Sequence, residues 1–278
     1  MTEKLNEFDL IIERGRSERN YWNDIWRFRE LFLFMAWRDV LVRYKQTAIG
    51  LAWSIIRPVL TMVVFTVVFG RLAKLPSEGV PYPILVFVAL LPWQFFSTSF
   101  SDASASLIGN SNMLTKIYFP RLIIPVSTII VNLVDFMISF LILITLMIWY
   151  NFVPGWTIFC FPLFLILAFI ASLSAGLFVA ALNVKYRDFK YIVPFVVQLG
   201  LYISPVGFSS KIVPEKWKLL YSLNPMVGII DGFRWSILGG NNEIYLPGML
   251  LSIGMIILIL ICSIRYFRKM EKTFADLI

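Results

Sequence analysis

What most constrains this chain is a succession of long apolar runs, at about residues 50–69, 84–106, 122–150, 158–182, 192–206 and 246–264. A helix needs roughly 20 mainly apolar residues to cross the hydrocarbon core of a bilayer, and only helices or closed barrels satisfy their backbone groups there. Six helical crossings are expected, the fifth of them short. Composition agrees, because 59% of the 278 residues are hydrophobic and only 15% charged, at a mean hydropathy of +0.77. Most of such a surface must face lipid. The fold class read from the sequence is an all-α integral membrane protein.

The first thirty residues are charged throughout and lack the apolar core of a cleavable signal, so the N-terminus is expected to stay in the cytosol. Basic residues test that orientation. On that assignment the cytoplasmic links carry Lys116 and Arg121, then Lys185, Arg187 and Lys190, whereas the opposite connection at 153–156 carries no charge. Arg265, Arg268, Lys269 and Lys272 in the tail place the C-terminus in the cytoplasm as well. Topology thus accounts for the net charge of +8, and nucleic acid is not an expected partner. Cys160 and Cys262 sit in apolar runs without metal-ligand or disulfide spacing. Histidine is absent, which removes the commonest general base and metal ligand.

Two parts are expected: a cytoplasmic N-terminus over 1–45, containing an interface helix, and a six-helix membrane domain over 46–278. The segment 21–44 reads as a helix whose apolar centre, 31–37, is too short to cross. Arg27, Arg29 and Glu30 flank it on one side and Arg38, Asp39 and Arg43 on the other, with Trp22, Trp26 and Trp37 interleaved. That pattern suits a helix lying in the cytoplasmic interface, as a docking element or as a plain anchor. The polar link 109–120, with Asn110, Ser111, Asn112, Thr115 and Lys116, has room for one or two helical turns. The link 183–191 alternates cations and aromatics around Asp188, which suits a protein groove as well as a headgroup layer.

Between residues 205 and 247 lies a stretch, half apolar and half interfacial, that does not read as a crossing. Ser204-Pro205-Val206-Gly207 ends the fifth run early. Pro214 can open a short helix to about Ser222, and Asn224-Pro225 is an N-cap with proline at the first helical position, opening a helix that ends at Gly239-Gly240. Trp217, Tyr221 and Trp235 beside Lys216, Lys218 and Arg234 suit the outer interface. The expectation is a re-entrant helical hairpin dipping in from outside, which implies a translocation path nearby.

Intramembrane charge is costly and marks candidate sites. Arg57, followed by Pro58, lies within the first span, where it either faces an aqueous entrance and an anionic headgroup or snorkels to the cytosol. Asp135 shares a helix face with Asn132 and can pair with Arg57 or hydrogen-bond inside the bundle. Asp102, near the cytoplasmic boundary of the second span, is expected to cap or contact the bundle. Aromatic residues make up 16% of the chain and include Phe65, Phe69, Trp93, Phe95, Phe96 and Tyr202 in or near the spans. Such rings either pack, or offer faces on which sugar C–H groups slide. A Walker phosphate loop, a nucleophile elbow and paired carboxylates in a polar loop are all absent from the sequence, so ATP hydrolysis by this chain is not expected.

The stretch from Arg43 through Tyr44, Lys45, Gln46, Thr47 and Gly50 to Trp53, followed by Arg57-Pro58, carries a resemblance. So do Leu91-Pro92-Trp93, the Asn183-Val184-Lys185-Tyr186-Arg187-Asp188 turn, Ser204-Pro205-Val206 and Asn224-Pro225. In this order they resemble the permease subunit of polysaccharide-exporting type-2 ABC transporters, which move O-antigen, capsule or teichoic acid. The resemblance implies a homodimer around a channel in the inner membrane, each subunit docked on a separate nucleotide-binding subunit. ATP and Mg would belong to that partner, and this chain would hold no cofactor or metal. The coupling surface would include Trp26, Arg38, Lys116, Lys185, Tyr186, Arg187 and Asp188. The hairpin, with Trp217, Tyr221, Asn224, Pro225 and Arg234, would form the outer gate. The cargo would be a glycan on a polyprenyl diphosphate lipid, with Arg57, Trp93, Phe95, Phe96 and Tyr202 along its path.

Other classes fit less well. An enzyme acting on lipid-linked sugar needs acids or bases that the chain does not cluster. An ion-coupled transporter would use Asp135 but would usually show internal symmetry, which is not found. A type-2 exporter of a small molecule shares the architecture and is the nearest competitor.

Overall fold

The computed structural model describes residues 17–45, 48–77, 79–114, 116, 118–239 and 244–274. The expectations for the first sixteen residues, and for Gln46, Thr47, Thr115 and Gly240, lie outside the described residues. Among the described residues there is no strand. The chain runs through α1 (Ser17–Arg27), α2 (Arg29–Lys45), α3 (Ala48–Phe65), α4 (Tyr82–Gly109), α5 (Ser111–Leu114) and α6 (Ile123–Trp149). It continues through α7 (Phe161–Lys185), α8 (Phe189–Ile203), α9 (Glu215–Tyr221), α10 (Pro225–Leu238) and α11 (Leu246–Glu271).

Five helical stretches are long and apolar enough to cross a bilayer: Ala52–Leu72, Tyr82–Gly109, Ile123–Trp149, Trp156–Lys185 and Leu246–Glu271. The first combines α3 with a π-helical continuation, Thr66–Leu72. The fifth expected crossing is α8, an apolar helix of only 15 residues. It stops because the backbone turns extended at Ser204, immediately before Pro205.

At the centre stands α4, whose run from Ile84 to Trp93 is buried on every side. A helix apolar all round belongs inside a bundle. Toward its later turns the residues become small, and Ser97, Ser99, Ala103, Ser104 and Ser106 are buried. On α7, which packs along α4, Ala168, Ala171, Ser172, Gly176 and Ala180 are likewise small and buried, and Gly176 lies against Ala103, so the two backbones approach closely. Three of these hydroxyls spend their donors within the helices, as Ser104 donates to the Ser101 carbonyl, Ser106 to Ala103 and Ser172 to Ala168. Close approach leaves these three donors satisfied, whereas the buried Ser99 hydroxyl finds no partner among the described residues. By contrast α3 and α8 lean on α4 and leave most of their length exposed, including Leu60, Val64, Phe195 and Leu199.

A second apolar cluster lies at the α1–α2 end and gathers Tyr21, Met35, Leu107, Leu114, Phe119, Val184, Phe267 and Phe274. It ties α1 and α2 to the link after α4 and to the ends of α7 and α11. The expected helix over 21–44 is present as α1 and α2, joined at Phe28 with the backbone bonds Phe28 N–H to Asp24 and Phe32 N–H to Phe28 retained.

Both expected helices of the 205–247 stretch form. Pro214 is the N-cap of α9, and Asn224 caps α10 by accepting from the Met226 N–H at 3.0 Å. Gly239 ends α10 at φ +83°, a conformation that a side chain would strain.

Candidate functional site

The densest polar arrangement joins four helices at the end of α2. Arg43 donates through Nη1 to Asn132 at 2.6 Å and to Asp135 at 2.8 Å, and through Nη2 to Asp102 at 2.9 Å. One guanidinium fork thereby bridges α2, α4 and α6. Asn132 donates in turn to Asp102 at 3.1 Å. Asp135 also accepts from the Tyr44 hydroxyl at 2.5 Å and from Ser54 of α3 at 3.0 Å. Burial pulls the Arg43 guanidinium down, but Asp102 and Asp135 outweigh it and hold the group above its ordinary value. Burial and the bond to Asp135 push the Tyr44 phenol up.

The sequence left Asp135 open between Arg57 and the bundle interior, and the structure gives it to Arg43 and Tyr44. Arg57 lines the same cavity, of about 200 Å³, whose walls include Trp53, Gln94, Phe95, Asn132, Asp135 and Ser139. Its side chain is exposed, and among the described residues no ion pair engages it. Phe95 reaches this cavity, but it is buried against Phe136. Trp93 is buried too, with its ring closing on Gly200 of α8. Phe96 is half-buried and stacks on Phe100, and Tyr202 is exposed at the end of α8. Within one subunit, therefore, Trp93 and Phe95 serve as packing, and these five residues do not form one lining.

The seven residues assigned to coupling lie around the second apolar cluster. Arg38 pairs with Asp39 at 2.7 Å and reaches Asn110 at 3.3 Å, so it joins α2 to the link after α4. Trp26 is exposed under Arg29, and Lys116 is exposed. Lys185, Tyr186, Arg187 and Asp188 form an exposed turn before α8, with the Lys185 ammonium 5.0 Å from the Tyr186 ring centre.

At the other end, Trp217 is exposed and Tyr221 donates to the Ile203 carbonyl at 2.8 Å. Asn224 donates to Ser204 at 3.0 Å, and Pro225 is the first residue of α10. Arg234 corrects the sequence reading. Expected at the outer interface, it is only 3% exposed and donates to the carbonyls of Phe208 at 2.8 Å and Val206 at 3.2 Å. The turn after α8 exposes carbonyls inside the fold, and a guanidinium is the donor that reaches two of them at once. Arg43 and Tyr44 were the residues that sequence reasoning missed as a centre. Their partners lie 59 to 92 positions away, and only their place at the start of the quoted motif drew attention.

The O-antigen export system permease protein RfbA of Myxococcus xanthus is 28% identical over 214 residues, covering 76% of this chain and 81% of the relative. A protein of the same name from Klebsiella pneumoniae is 25% identical over 250 residues, covering 90% and 95%. The inner membrane transport permease YadH of Escherichia coli K12 is 25% identical over 202 residues, covering 68% and 77%. Residues 30–238, from the first turn of α2 to the end of α10, match the ABC-2 type transporter family, and with five helices able to span a bilayer the chain belongs to that family as a multi-pass membrane transport subunit.

Proposed function

We propose that the chain is the channel-forming permease subunit of an ATP-driven exporter that moves a polyprenyl-diphosphate-linked polysaccharide, O-antigen first among candidates, across the bacterial inner membrane. The observation that carries this reading is similarity to O-antigen export permeases over 90% of this chain and 95% of the relative. Capsule and teichoic acid are the neighbouring cargo classes.

On this reading α8 is the short fifth of six crossings, both termini are cytoplasmic, and α9 with α10 forms a re-entrant outer gate. Two copies pair so that the exposed faces of α3 and α8 bound a shared path. Phe96 and Tyr202, the more accessible of the candidate aromatics, then offer ring faces to the glycan. A separate ATPase subunit, holding ATP and Mg, docks on each copy at the α1–α2 end and at Lys116 and 185–188. Closure of the ATPase pair biases the path through differential contacts in its two states. Asp135, held by three donors, suits a structural carboxylate better than an ion-coupling site.

The test is purification from native membranes with identification of stoichiometric partners, followed by export of surface polysaccharide in a deletion strain. A two-plus-two complex with an ATPase, and loss of long-chain surface glycan restored by the gene, is the expected result. A solitary chain that transports without any ATPase would overturn it.

A further inference from the structure

Asp135 and Arg57 line one cavity, yet the carboxylate is committed elsewhere. Its Oδ1 accepts from Tyr44 and Ser54 and its Oδ2 from Arg43, which fills three of about four acceptor directions. The remaining carboxylate of the cluster, Asp102, does not line the cavity and is itself held by Arg43 and Asn132. The cavity therefore presents one neutralised carboxylate and one guanidinium that no described side chain pairs. Gln94 and Ser139 line the same space and carry further donors that an anion bound at that guanidinium could use.

Position limits the anion that fits. Arg57 lies nine residues after Ala48, about 14 Å from the end of α3 that adjoins α2. From there an exposed apolar face runs along α3 through Leu60 and Val64 and on to Val67 in its π-helical continuation. Cation first and apolar track after is the order of parts in a lipid with an anionic head. An arginine meets phosphate oxygens with two parallel bonds.

We propose that this cavity is a binding site for the phosphate-bearing headgroup of a membrane lipid, with Arg57 as its principal ligand and Arg43 and Tyr44 as positioning residues that withhold Asp135 from it. If the exporter reading holds, on which the choice of cargo rests, the headgroup is the diphosphate of the polyprenyl carrier. An ordinary anionic phospholipid shares the chemistry and is separated by experiment.

Native mass spectrometry of the purified chain, titrated with undecaprenyl diphosphate and in parallel with phosphatidylglycerol, reads the site. Arg57→Gln should weaken diphosphate binding by about tenfold or more, and Arg57→Lys should weaken it less, because charge survives without the fork. Tyr44→Phe, with Arg57 intact, should weaken it by about threefold, as Asp135 turns to the guanidinium, at a cost on the scale of one hydrogen bond. Equal binding by the wild type and Arg57→Gln, both monodisperse with unchanged melting, overturns the site. Unchanged binding by Tyr44→Phe overturns the positioning role. Arg57-dependent binding of phosphatidylglycerol at the same affinity supports a phosphate site and assigns it to bulk lipid instead of cargo. An exporter confirmed by its ATPase partner but indifferent to Arg57 would refute the site and leave the proposed function standing.

Discussion

Gly176 of α7 faces Ala103 of α4 so closely that a β-carbon on the glycine would stand 2.7 Å from that of the alanine. Real β-carbons do not approach to that distance, so the spacing of the two central helices depends on the missing side chain. Lipid supplies no hydrophobic force between helices, and close packing has to hold them together. Gly176→Leu should lower stability by about 1–3 kcal/mol through overpacking. Gly254 in α11 has nothing within 4 Å, so Gly254→Ala should melt like the wild type. Detergent melting curves of both variants check the pair.

Arg43 is the common partner of Asp102, Asn132 and Asp135. Arg43→Ala strands two carboxylates that are only partly exposed, at 39% and 28%. A loss of about 1–3 kcal/mol is expected, set by the charged hydrogen bonds removed and reduced by the water that reaches these groups. Arg43→Lys should recover part of it, because an ammonium lacks the fork. A double-mutant cycle of Arg43 with Asp102, by unfolding in mixed micelles, should give a coupling of at least about 0.5 kcal/mol.

Tyr44 makes this cluster sensitive to alkali. Its phenol is pushed above the ordinary tyrosine value by burial and by Asp135, so folding favours the protonated form. The resulting stability is fully present below about pH 10, the unfolded value, and is lost as pH rises through the folded value. Comparing Tyr44→Phe with the wild type at pH 8 and again above pH 10 checks the sign. The stability gap between them should narrow at the higher pH.

Arg234 holds the turn after α8 through the carbonyls of Val206 and Phe208. Arg234→Met keeps the bulk and removes both bonds, at an expected cost of about 1.5–3 kcal/mol. The effect should be local. Lys211, exposed just beyond this turn, should be cut by trypsin faster in the variant, while cleavage at Lys185 should not change.

Much of the architecture was legible in the residues. Asn224-Pro225 foretold the start of α10, and the small, serine-rich end of α4 fits its close contact with α7. These are local rules, in which cap chemistry and apolar length act on residues a few positions apart. Where such rules met tertiary demands they were insufficient. Arg234 carried the signature of an interfacial cation and became a buried donor, because a turn 26 to 28 positions earlier left carbonyls facing it. Trp93 and Phe95 belonged to an aromatic-rich run, and only the packing of α8 and α6 against α4 showed that one subunit buries them.

By itself the sequence determined a helical membrane protein with a helical segment ahead of the first span, a short fifth apolar segment and a broken stretch before the last span. Apolar length, proline and glycine placement and cap residues dictate those features without distant partners. Which carboxylate meets which arginine was decided by the tertiary structure alone. Asp135 lies 92 positions from Arg43 and 81 from Ser54, and its ion pair exists because α2, α3 and α6 converge at the foot of α4. Convergence of that kind is set by helix packing, and it leaves Arg57 on the cavity wall with the carboxylate that shares that wall already taken.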